Sequence, residues 1–435
     1  MKSVLIDSAF SLAYRIMSAV FSYGMYMGIP LLFGITALGV FALYQALLAV
    51  MGVMLSLGLH LGLLKSIAKT GLTTSAKALY IRSLLLVTGL SLLAGLALLS
   101  FGHYGTELFL ALEENTWVFG MLALTLPFQT ILLINIEVLR ALQIIKLSEL
   151  LRNLLIYVLA VLLMLVGYFN SLSFHLIPVA GFSIGIILTS LLSLFLVLKR
   201  PAADTTDIPS TQIPGLRMGE LLKNSLPMMG SALVQNWNSR VMTILLGILA
   251  QAEAVAVFGL AFKLSTIPDF FISAIKAPTT PLISKYFAQG NWKQLVALLQ
   301  KSVLYSVLLI IPVAAILLYF ASELLELSGS AFAQGSLALQ LLVCAQVASA
   351  SFGLTGAFLN MTRHQNVLLI AVSAGLIINV AMCWMLIPFL GVTGAAIGFL
   401  SSTLIWNGIC TLYIYHSYGI KTFPAQLPSL KLLAP

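Results

Sequence analysis

Of the 435 residues, 60% are hydrophobic and 8% are charged, and the mean hydropathy is +1.06. That balance excludes a soluble globular protein and places the chain in a membrane. The formal net charge of +9 argues for no nucleic-acid partner, because Lys and Arg collect in the cytoplasmic loops of membrane proteins.

Apolar runs of spanning length, about 17 to 25 residues, recur along the whole chain with short polar breaks. Twelve spans are expected, over 8–32, 39–64, 80–102, 117–139, 150–169, 176–198, 221–248, 254–280, 300–322, 335–361, 366–388 and 391–415. Helices are the spanning element: a membrane barrel reads as alternating segments of about ten residues, whereas "LLIYVLAVLLMLVGYF" is apolar all round. The first run is too long for the apolar part of a signal peptide and shows no small-residue cleavage site, so it counts as a span.

Loops after even-numbered spans, with the termini and their flanks, hold eighteen Lys and Arg, and loops after odd-numbered spans hold none. Both termini are therefore expected in the cytoplasm. The opposite face carries Glu107, Glu113, Glu114, Glu253, Glu323 and Glu326 on short loops.

The longest polar break, "KRPAADTTDIPSTQIPGLRMGE", nearly halves the chain. It suggests an N-terminal six-helix lobe (1–199), a cytoplasmic linker (200–219), a C-terminal six-helix lobe (220–417) and a cytoplasmic tail (418–435). The halves echo each other. "VFALYQAL" at 40–47 aligns with "VFGLAFKL" at 257–264, and "GFSIG" at 181–185 with "GAAIG" at 394–398. Both echoes pair a span with the sixth span after it, so the lobes are expected to share orientation about an axis along the membrane normal. Such a pair favours a cleft between lobes and transport by rocking.

Once the loops and the flanking span ends are counted, four cations remain deeper in the spans: Arg15, Arg240, Lys263 and Lys276, with two acids, Asp269 and Glu137. An ionised group in hydrocarbon costs at least about 2.5 to 3.5 kcal/mol, so such residues usually face a bundle interior or a wet cavity. Helical phase agrees. Ser8, Ser11, Arg15, Ser18, Ser22 and Tyr26 step by three or four along span 1, and Thr266, Asp269, Ser273, Lys276 and Thr280 do so along span 8. In span 7 the stretch "QNWNSR" groups Asn236, Ser239, Arg240 and Thr243 beside Ser231, Gln235 and Asn238, opposite Leu233, Val234, Trp237, Val241 and Ile244. Lys263 falls off its stripe, although Pro268 is placed to kink the helix.

The expected cavity set is Arg15, Arg240, Lys263, Lys276, Gln235, Asn236, Asn238, Ser18 and Ser22. It is net cationic and suits an anionic cargo: Arg and Lys recognise phosphate or carboxylate, and the amides and hydroxyls suit sugars. Asp269 is read either as a counter-ion for one of these cations or as a protonatable coupling site. Glu137 with Arg140 reads as an end-of-helix pair, and Gly58 with Gly62 and Gly394 with Gly398 read as close-packing contacts. Five scattered histidines and Cys344, Cys383 and Cys410 offer no metal or disulfide spacing, so no cofactor is expected.

The segments "APTTPLISKYFAQGNWKQLVALLQKS" (277–302) and "FLNMTRHQNVLLIAVSAGLIINVAMCWMLIPFLGVTGAAIGFLSSTLI" (358–405), with the twelve-span layout, resemble the polysaccharide flippases of the multidrug/oligosaccharidyl-lipid/polysaccharide exporter superfamily. The resemblance implies passage of an undecaprenyl-diphosphate-linked oligosaccharide, such as an O-antigen unit of lipopolysaccharide, to the outer leaflet of a bacterial inner membrane. Implied partners are that lipid-linked substrate, membrane lipid, and the polysaccharide polymerase and chain-length machinery. No site residue is carried over by motif, because the lining of such cavities varies within the family. A cation-coupled drug exporter of the same superfamily is the alternative, and it calls for cavity carboxylates that four cations against two acids do not supply. An enzyme is disfavoured: the longest outer loop, about His103 to Thr116, holds no paired carboxylates and no nucleophile with a base.

Overall fold

A computed structural model describes residues 2–112, 115–170, 176–201, 218–362 and 364–420. These fold into seventeen α-helices: α1 (Lys2–Phe33), α2 (Ile35–Leu55), α3 (Leu59–Thr70), α4 (Thr74–Leu108), α5 (Trp117–Ala141), α6 (Ile145–Glu149), α7 (Leu155–Phe169), α8 (Leu176–Leu198), α9 (Met218–Leu249), α10 (Ala252–Ser265), α11 (Asp269–Ala288), α12 (Trp292–Tyr319), α13 (Ala321–Glu326), α14 (Ser336–Phe352), α15 (Thr355–Met361), α16 (Gln365–Leu390) and α17 (Val392–Tyr418). A π-helical turn, Leu150–Leu154, joins α6 to α7. The expected all-α, multi-pass membrane architecture is observed.

Among the described residues, ten helical segments are long and apolar enough to cross a bilayer. The other two expected spans take a different form. In span 7, α9 is helical over 32 residues, and the apolar run among its described residues is Arg240–Leu249. Span 8 is two helices, α10 and α11, joined by a turn at Thr266–Pro268. Proline lacks an N–H and its ring clashes with the preceding turn, so Pro268 does more than kink the helix: the helix ends before it and restarts after it. Span 2 is also interrupted, between α2 and α3, where Leu57 (φ 50°) and Gly58 (φ 69°) are left-handed. Span 10 breaks at Gly353 (φ 78°), between α14 and α15.

The helices pack into two compact units, Met1–Ala256 and Val257–Pro435. The polarity break at 200–219 and the packing boundary therefore fall at different places, and α10 straddles the latter. The reason is α9, which lies against α2 and α3 within the first unit. A Cβ on Gly247 would meet the Leu43 side chain at 2.7 Å, and a Cβ on Gly62 would meet the Ser225 hydroxyl at 2.0 Å. Gly58 approaches the Ser225 carbonyl just as tightly, so Gly58 and Gly62 are the close-packing pair the sequence suggests.

Within the first unit, polar side chains tie helices together where hydrocarbon offers no competing partner. Tyr80 donates to Asn135, whose amide donates to Ser193 at 2.8 Å, linking α4, α5 and α8. The Tyr44 and Ser183 hydroxyls lie 2.6 Å apart between α2 and α8. The Lys77 ammonium donates to the carbonyls of Leu198 and Arg200 at the end of α8, where a cation complements the helix dipole.

The two sequence echoes have matching roles inside their own units. Phe41 and Phe258 are both fully buried. Gly181 and Gly185 of α8 face the Ala160 and Ile156 carbonyls of α7, while Gly394 and Gly398 of α17 face Leu386, Cys383 and Asn379 of α16. In each half, the sixth span brings its glycines against the fifth.

Candidate functional site

In the first unit, the α1 stripe turns inward: Ser18, Ser22 and Tyr26 are all buried. The Ser18 hydroxyl donates to the Asn153 carbonyl. That carbonyl belongs to the π-helical turn, which loosens the regular ladder, so Ser18 serves to join α1 to that turn. Ser22 differs, since its buried hydroxyl has no hydrogen-bond partner. One turn further, the Tyr26 ring meets Phe41 edge-on at 5.8 Å and its hydroxyl donates to Gln45 Oε1 at 2.8 Å.

Arg240 is half-buried on α9. Among the described residues it has no ion pair and no hydrogen bond, and Tyr26 lies in its electrostatic field, as it does in that of Tyr157 on α7. Asn238 is half-buried and has a partner. The side chains of Arg15, Gln235 and Asn236 lie outside the described residues.

The end of α5 and the turn before α7 hold a charge network that the sequence showed only in part. Glu137 does approach Arg140, at 3.6 Å, but its hydrogen-bonded partner is Arg152. Arg140 in turn donates to Glu149 at 2.8 Å, and the Asn153 amide donates to the other oxygen of Glu149 at 2.7 Å. Both glutamates are buried, and each arginine keeps about a third of its side chain exposed. Two positive and two negative groups cancel, which is how charges are held inside a bundle. His60, beside the break after α2, hydrogen-bonds Ser56 at 2.9 Å and lies in the fields of Glu137 and Arg152.

In the second unit, Lys263 is half-buried near the end of α10 and has a partner. Asp269 opens α11, where the helix dipole favours a negative charge. Its carboxylate accepts from Gln346 of α14 at 3.3 Å and feels Lys276, seven residues on and exposed. The sequence did not single out Gln346 as a partner of Asp269. No group of three or more His, Cys, Asp or Glu side chains among the described residues is arranged to hold a metal ion.

Interrupted helices in corresponding positions of two halves are the strongest backbone pointer to a transport site. Here the second span of each half is interrupted, after α2 and after α10, and Lys263 and Asp269 flank the second break.

The family model for polysaccharide biosynthesis proteins matches residues 5–287. The chain belongs to this family. A second model, MatE, matches residues 227–385. Among solved structures, this polysaccharide biosynthesis protein shares its fold with the lipid II flippase MurJ in an inward closed conformation, at TM-score 0.74 and 12% identity, covering 94% of this chain and 87% of that one. It is also similar to an inward-facing multidrug resistance MATE family transporter of the MOP superfamily, at TM-score 0.64 and 19% identity over 93% and 96% of the two chains. A third relative is a MOP superfamily transporter from Pyrococcus furiosus, described as having a binding pocket of reverse polarity, at TM-score 0.54 and 17% identity over 94% and 92%. No curated protein matches the sequence. The fold is thus that of the MOP-superfamily transporters.

Proposed function

We propose that this polysaccharide biosynthesis protein is a flippase that carries an undecaprenyl-diphosphate-linked oligosaccharide from the inner to the outer leaflet of a bacterial cytoplasmic membrane. In this reading both termini lie in the cytoplasm, two six-helix lobes alternate access, and Arg15, Arg240, Lys263 and Lys276 are the cations that meet the cargo. The diphosphate meets the cations, and Asn and Ser side chains contact the sugars.

The observation that carries this reading is Arg240, a half-buried guanidinium without an acidic partner among the described residues. A cation kept in a bundle at that expense is most simply explained by an anion that arrives and leaves. The polysaccharide family match and the likeness to a lipid II flippase support the same class of cargo. Alanine at Arg240 and Lys263 together should abolish surface polysaccharide while the protein remains in the membrane. Normal polysaccharide in that double variant would overturn the reading.

A cation-coupled exporter of drugs or other small molecules is the second reading, supported by the MatE match and the MATE relatives. Asp269 is its best residue for coupling, being an acid beside an interrupted span. Export of a cationic dye by the purified protein, with no effect of loss of the gene on surface glycan, would favour it.

A further inference from the structure

The first unit contains a polar constellation that charge counting passes over. Tyr26 is fixed from two sides, by Phe41 against its ring and by Gln45 at its hydroxyl. Because Tyr26 donates to Oε1, the Gln45 amide nitrogen is turned away from it, and that nitrogen has no acceptor among the described residues. The Ser22 hydroxyl, one turn from Tyr26, is buried and unpartnered. A buried hydroxyl without a partner, as at Ser22, is uncommon in a folded protein and asks for a ligand or water.

The helix register brings Arg240 to the same place. Leu43 faces Gly247 and Gly58 faces Met229, so α2 and α9 run antiparallel and Arg240 stands about one turn along α2 from Gln45. Register fixes only the height of Arg240; what ties it to the cluster is Tyr26, which touches Gln45 and lies in the guanidinium's field.

We propose that Gln45, aimed by Tyr26, is the charge-selecting residue of an anion site whose positive half is Arg240 and whose third donor is Ser22. The site takes a phosphate-type anion. The amide at position 45 donates to that anion, whereas a carboxylate of the same shape would pair with Arg240 and cancel the site. The assignment deepens the flippase reading by naming where the first unit holds the diphosphate, and it rests on that reading for its biological cargo.

The test is equilibrium binding of geranyl diphosphate and of inorganic pyrophosphate to the purified full-length protein in nanodiscs, with geraniol as the uncharged control. Loss of a charge-assisted hydrogen bond weakens binding by about 10- to 100-fold, which is expected for R240Q and for Q45E. Q45L also removes a bond to the anion but leaves the charge of Arg240 uncancelled, so it should fall at the lower end of that range, about 10-fold. Y26F, which lets Gln45 swing, should fall between wild type and Q45L. Geraniol binding should be the same in all, and unchanged melting of each variant shows that it folds. Binding of pyrophosphate alone would mean that the head group suffices; binding only of geranyl diphosphate would mean that a lipid-linked anion is required, and either supports the site.

Equal affinity in wild type, R240Q and Q45E would overturn the proposal, and so would equal losses in Q45E and Q45L. If these variants lose binding while the Arg240 and Lys263 double alanine variant still makes surface polysaccharide, the flippase reading falls and the anion site stands. If polysaccharide is lost and binding is indifferent to Q45E, the site falls and the flippase reading stands.

Discussion

Replacing Arg152 by Gln tests the charge network at the end of α5. Glu137 is buried, with 7% of its side chain exposed, and Arg152 donates its hydrogen bond. The second oxygen of Glu137 has no hydrogen bond, and Arg140 approaches it only to 3.6 Å. Removing one partner of a fully buried pair costs about 3 to 5 kcal/mol, because the other charge is stranded. Arg152 keeps 34% of its side chain exposed, so water screens part of the pair and the expected loss is about 2 kcal/mol. For a unit of roughly 250 residues, that lowers the melting midpoint by about 4 to 8 °C. Thermal unfolding in detergent, followed by size-exclusion fluorescence, reads this shift. The double variant with Gln at both 137 and 152 should recover most of the loss, since two neutral amides strand no charge. A single variant that melts within 1 °C of wild type, or a double variant whose loss equals the sum of the singles, would refute the reasoning.

Gly394→Ala should destabilise the second unit by about 1 to 3 kcal/mol, because its new methyl would meet the Leu386 backbone carbonyl carbon at 2.6 Å; unchanged melting would show that α16 and α17 separate freely. Asp269→Asn should remove any pH or sodium dependence of transport into proteoliposomes if the acid couples the cycle, whereas a retained dependence would leave it as the partner of Gln346 and Lys276. Alkaline phosphatase fused after residue 112 should be active outside the cytoplasm, and green fluorescent protein inserted at 204 should fluoresce inside; the reverse pattern would invert the topology.

Hydropathy made most of the fold legible, because a bilayer forces each backbone segment to satisfy its own polar groups, and an apolar run of spanning length has few alternatives. Breaks within spans were legible only where proline marks them. Pro268 marked a kink in span 8 that the structure shows as a full break, but Gly58 and Gly353, both at positive φ, look in the sequence like any packing glycine. The charged partners divide in the same way. Arg152 counted as a loop cation because it opens an apolar run, yet it turns back onto Glu137, a contact set by how α5 and the π-helical turn meet. Gln45 carries no charge and sits in an unbroken apolar run, so only its contact with Tyr26 marks it. Arg240 and Asp269 stood out early, since each is an ion in the middle of hydrocarbon.

The membership of α9 in the first unit bears on how this protein can be engineered. The helices on either side of the stretch 200–219, α8 and α9, belong to the same compact unit. A rigid protein grafted between them as a marker for electron microscopy would therefore report the first unit alone.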